Sequence, residues 1–122
     1  MLAHVAVNVT DLEASKRFYI GALQPLGYRV VYEEPGRLAY LADAHGLDFG
    51  LGQREPVGGA HVAFECPDRA TVDAFYSAAM TAGGADNGAP GLRPQYDADY
   101  YAAYVLDADG NNIEAVCHHA QT

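Results

Sequence analysis

The chain has 122 residues, half of them apolar and 19% charged, a composition that fits one globular domain. Sixteen acidic against seven basic residues give a net charge of −9, which argues against a nucleic-acid binder because phosphate recognition needs a basic stripe. No apolar run reaches the roughly 20 residues of a membrane span, and the start, MLAHVAVNV, has neither the basic region nor the small-residue cleavage site of a signal peptide.

In chain order, the first element is an alternating strand. Val5, Val7 and Val9 point one way, and His4, Ala6 and Asn8 the other. Thr10 with Glu13 fits a capping box. Leu12, Phe18, Tyr19, Ala22 and Leu23 then form an apolar stripe at helical spacing, and the Gly27 of LGY stops the helix. Strand-like segments follow near residues 28–33, 37–43 and 47–51.

The pattern then begins again. His61, Val62 and Ala63 repeat His4, Val5 and Ala6; Asp68 repeats Asp11; Phe75 and Tyr76 repeat Phe18 and Tyr19. Val62, Phe64 and Cys66 oppose His61, Ala63 and Glu65 along the second opening strand. Pro67 and Asp68 start the second helix, whose stripe is Val72, Phe75, Tyr76, Ala79 and Met80, and Gly83 and Gly84 end it. A Gly-, Pro- and Asp-rich loop is expected over residues 84–99, then strands near 101–107 and 112–117. The turns DAHG and DADG carry hairpin chemistry and align Asp43 with Asp107 and Gly46 with Gly110. On the last strand Ile113, Ala115 and Cys117 share the packing face, so Glu114 falls on the other. Cys66 and Cys117 sit in apolar runs, which reads as buried thiols in a reducing cytoplasm rather than a disulfide scaffold.

The expected fold is α+β: two tandem βαβββ units, about 1–55 and 58–119, in a single domain over 1–122. The two sheets are expected to join into a cupped, barrel-like cleft with the helices outside. His4, His61 and Glu114 would face that cleft.

The paired units, the opening HVAVNVTDLEASKRFY and the ending YYAAYVLDADGNNIEAV resemble the vicinal oxygen chelate superfamily over about residues 3–116. That superfamily includes glyoxalase I, extradiol dioxygenases, fosfomycin resistance enzymes and bleomycin resistance proteins. The resemblance implies metal ligands on the first and last strand of each unit: His4, Gly50, His61 and Glu114. Gly50 is no ligand, so the set is two histidines and one carboxylate, where glyoxalase I typically has four protein ligands; Asp48 is held in reserve. A His, His, Glu set suits a divalent ion, Fe, Mn, Ni or Zn, with open positions for a substrate that chelates through neighbouring oxygens. The implied function is a lyase/isomerase or dioxygenase, with Glu114 as ligand and proton shuttle and Tyr101, from the group Tyr100, Tyr101 and Tyr104, as a hydrogen-bond donor. Arg93 and Tyr96 on the long loop are candidate substrate contacts, and Asn8 and Glu65 candidate inward-facing supports. His118 is a candidate acid/base by strand parity, while His45 and His119 read as surface residues. The alternatives are a metal-free, bleomycin-resistance-like binding protein with an acidic, tyrosine-lined cleft, and a scaffolding member. The partners implied are a small molecule and, as small members of this superfamily often pair, a second copy in a homodimer, with His4 meeting His61 either within one chain or across two.

Overall fold

The computed structural model describes residues 3–46 and 48–120. The order is β1 (His4–Val9), α1 (Leu12–Leu23), a short 3-10 turn (Gln24–Leu26), β2 (Arg29–Glu34), β3 (Leu38–Ala42), β4 (Asp48–Gln53), β5 (His61–Glu65), α2 (Arg69–Thr81), β6 (Ala85–Leu92), β7 (Tyr101–Leu106) and β8 (Asn112–Cys117). This is the expected α+β arrangement of two βαβββ units. Leu47, where the fourth strand was expected to begin, lies outside the described residues.

Asp11 caps α1, its side chain accepting from the Ala14 amide at 3.1 Å. The cap therefore stands one residue after the expected Thr10. The Thr10 hydroxyl instead donates to Asp109 at 2.6 Å and ties β1 to the far unit. Asp68 caps α2 as expected, accepting from the Thr71 amide at 2.8 Å. Gly27, at φ 83°, closes the 3-10 turn that follows α1, in the left-handed conformation that a residue with a Cβ resists.

The segment 84–99 is not all loop. Residues Ala85–Leu92 form β6, paired with β7, with the register broken around Gly88. An edge strand needs hydrogen bonds on one side only, so it tolerates Pro90 and two internal glycines.

The strands make two separate four-stranded sheets, β1-β4-β3-β2 and β5-β8-β7-β6. β1 and β5 are the outer strands of their sheets, and no hydrogen-bonded ladder joins them among the described strands. The apolar faces share one core with the helices: Tyr19 meets Phe49, Phe49 meets Phe64, and Phe64 meets Tyr28. The polar faces turn away from that core.

The registers make the repeat explicit. Ala6 pairs with Gly50 and Gly50 with Tyr40; in the second unit Ala63 pairs with Glu114 and Glu114 with Tyr104. The units are locked at the β7–β8 turn. There the buried Asp107 accepts from the Tyr19 hydroxyl at 2.6 Å, the Asn111 side-chain amide at 2.8 Å and the Asn111 backbone amide at 2.8 Å.

Candidate functional site

β5 begins with His61 on the polar face of the second sheet, and β8, its parallel neighbour, places Glu114 beside it. His61 Nε2 lies 2.8 Å from Glu114 Oε1, and the Tyr100 hydroxyl donates to Oε2. Glu114 is only 2% exposed, whereas the His61 side chain is 55% exposed. A buried carboxylate is costly unless both oxygens are partnered, and here each oxygen has one partner. The imidazole remains open to a ligand. Burial, then the bond to Glu114, pushes the Tyr100 hydroxyl well above the usual phenol range, so it is a proton donor throughout the physiological range. The Tyr104 ring stands next to this group, 6.4 Å from the His61 ring. Tyr96 and His118 pack edge-on against Tyr100 at 5.1 and 5.2 Å.

The other residues expected at the site are dispersed. Tyr101 is on the helix-facing side of β7, opposite Cys117, and donates to Asp73 on α2 at 2.6 Å. Tyr100, one residue earlier and on the opposite face, is the tyrosine that reaches Glu114. Strand alternation alone could have separated the two, because Glu114 pairs with Tyr104 and Tyr100 shares its parity. Arg93 lies over Tyr104, its Cζ 5.3 Å from the ring centre. Asn8 donates to the Pro56 carbonyl at 2.9 Å, and exposed Glu65 lies 3.9 Å from His118 Nδ1. Asp48 and His61 both border a groove of about 340 Å³ between β1, β4 and β5.

His4 stands apart from this group. It is on the first sheet, exposed, with its ring edge-on to Tyr40 at 5.8 Å. Among the described residues no group of three or more His, Cys, Asp or Glu side chains is placed to hold a metal ion. His4 and His61 open the first strands of two different sheets. The donor chemistry of His61 and Glu114 suits a divalent ion, but among the described residues no third His, Cys, Asp or Glu joins them.

Gly50 has a positive reason to be glycine. A Cβ there would come 2.5 Å from Tyr40 Cε1. The Tyr40 ring fills the place that a side chain at this register would occupy, whereas at the equivalent register of the second sheet Glu114 fits beside Tyr104.

The family model for the Glyoxalase/Bleomycin resistance protein/Dioxygenase superfamily matches residues 1–115. The chain belongs to this superfamily. A glyoxalase/bleomycin resistance protein from Albidiferax ferrireducens T118 is similar at 32% identity and a TM-score of 0.81, over 96% of this chain and 98% of that one. A lactoylglutathione lyase from Agrobacterium tumefaciens superposes with a TM-score of 0.76 at 21% identity, over 96% and 92% of the two chains. A fosfomycin resistance protein from Mesorhizobium loti does so with a TM-score of 0.73 at 22% identity, over 96% and 91%. At such identities the last two likenesses show the superfamily fold alone. No curated protein matches the chain.

Proposed function

We propose that this superfamily member is a divalent-metal-dependent enzyme whose small substrate binds through neighbouring oxygens. Its site is completed between two copies of the chain, with His61 and Glu114 from one copy and His4 from the other. The observation that carries this reading is the buried Glu114, held between the half-exposed His61 and Tyr100. A divalent ion, Fe, Mn, Ni or Zn, would supply Lewis acidity toward an oxyanion on the substrate. Tyr100 fixes one carboxylate oxygen of Glu114 and leaves the other for a ligand or a proton. In a lyase or isomerase, Glu114 moves a proton at the carbon alpha to a carbonyl. In a dioxygenase it serves as a ligand only. The two buried free thiols, Cys66 and Cys117, support a reducing compartment, the cytoplasm; burial pushes the Cys66 thiol up to about 12, which keeps it unreactive.

Metal analysis of protein purified without chelator tests the reading. The expected result is about one equivalent of a transition metal per chain, or uptake to that level on titration, abolished by His61→Ala. Less than about a tenth of an equivalent with no uptake would sink it.

The aromatic wall of Tyr96, Tyr100 and Tyr104, with the net charge of −9, favours a second reading, a metal-free binding protein for a cationic aromatic ligand. It predicts calorimetric binding of such a ligand to protein free of metal.

A further inference from the structure

We propose that Arg93 is the anion-recognition group of this site, and that the ligand class is a small monocarboxylate with a second oxygen on the neighbouring carbon. The inference rests on the proposed site at His61 and Glu114 and names what it takes.

The guanidinium is held in a built cradle. Arg93 leaves the end of β6 and folds back over the strand. Its Nη1 donates to the Gly91 carbonyl at 2.8 Å and grazes that of Leu92 at 3.5 Å; its Nη2 donates to the Ala89 carbonyl at 2.9 Å. The Tyr104 ring lies beneath it. Two glycines make the room: a Cβ at Gly88 would come 3.2 Å from Nη2, and one at Gly91 would come 3.2 Å from Nη1. The conformational entropy of a long side chain has therefore been surrendered on folding, before any ligand arrives.

The charge is left without a counter-ion. Lys16, Arg37 and Arg69 each lie against a carboxylate. Arg93 has no such partner among the described residues, in a chain with sixteen acidic residues. Arg17, Arg29 and Arg54 are also unpaired but exposed, whereas Arg93 is half-buried. Its Nε–H and one Nη2–H have no acceptor among the described residues, and two such donors match the two oxygens of a carboxylate.

The position sets the rest of the ligand. Tyr104, under the guanidinium, pairs directly with Glu114 across β7 and β8 and neighbours His61. A carboxylate at Arg93 therefore presents the adjacent carbon and its oxygen toward the His61–Glu114 pair. One guanidinium suits a single negative charge better than a phosphate dianion.

Calorimetric titration with pyruvate and its neutral isostere pyruvamide, with and without Mn²⁺, tests the proposal. Wild type should bind pyruvate about tenfold more tightly than pyruvamide, the scale of one charge-assisted contact. Arg93→Gln should bind both alike, and Arg93→Lys, which keeps the charge but not the paired donors, should lose part of the preference. A wild type that binds no pyruvate at millimolar concentration, or shows no preference, overturns the proposal, as does an Arg93→Gln protein, folded by circular dichroism, that keeps the preference. An Arg93-dependent preference in protein that takes up no metal supports this proposal and overturns the metal-enzyme reading. Metal uptake without such a preference does the reverse.

Discussion

The Tyr19 hydroxyl donates to Asp107 across the two units, at 2.6 Å and out of contact with water. It joins the first helix to the last hairpin, so it reports on how firmly the halves are held together. Tyr19→Phe leaves Asp107 one donor short in a buried place and should destabilise the fold by about 1–3 kcal/mol. The denaturant midpoint should fall with little change in slope.

The same contact has a pH signature. Burial, then the Asp107 charge, raises the Tyr19 hydroxyl far above its ordinary value. A raised folded-state value means that the native protein holds a proton the unfolded chain releases. The Tyr19 contribution is therefore complete below about pH 10, the unfolded value, and is lost as pH climbs above it. Wild type should lose stability above that pH, and Tyr19→Phe should lose less per unit, by up to about 1.4 kcal/mol, in urea titrations at pH 9 to 11. Equal slopes for the two proteins would refute this.

Tyr40 and Gly50 should be coupled. Gly50→Ala drives a methyl into the ring and should destabilise by about 1–3 kcal/mol, the usual range for overpacking. Made in a Tyr40→Ala background, the same change should be neutral or stabilising, since alanine suits a strand better than glycine when space permits. A double-mutant cycle in denaturant reads the coupling, and additive effects would contradict it.

Tyr100 and Tyr101 should separate cleanly. Tyr100→Phe removes a partner of Glu114 and should weaken divalent-metal uptake about 10- to 100-fold, the range for loss of an outer hydrogen bond to a ligand. Tyr101→Phe, whose hydroxyl meets Asp73 on α2, should leave uptake unchanged. Equal effects from the two substitutions would count against the placement of the site.

A site shared between copies predicts complementation. His4→Ala and His61→Ala proteins should each take up no metal. Refolded together in equal amounts, they should recover about a quarter of the wild-type sites, because half the dimers are mixed and each carries one intact site. No recovery would place His4 outside the site or leave it in the same chain as its partner ligands.

Much of this was legible in the sequence, for identifiable reasons. The alternations after His4 and His61 marked two half-buried strands, and the recurrence of Phe–Tyr marked the two buried helix faces. The parity of Ile113, Ala115 and Cys117 placed Glu114 on the face that turns away from the helices. β6 was not legible, because its glycines and proline lack strand propensity and it exists by pairing with β7. Thr10 and Asp11 both suit a cap, and only the pull of Asp109 on Thr10 decided between them. How His4 and His61 stand relative to one another is a matter of how two sheets are set in space, on which neither period carries information. The reason for Gly50 is a volume held by a ring ten residues away.

That ring also constrains what the chain could become. A carboxylate at residue 50 would meet Tyr40, and loss of Tyr40 alone would strip a wall from beside His4. Whichever change came first would be a step downhill, although the two together could build a four-ligand centre. The pair is a lock in sequence space: the duplicated halves can drift further apart one substitution at a time, but they can regain their symmetry at this register only by two at once.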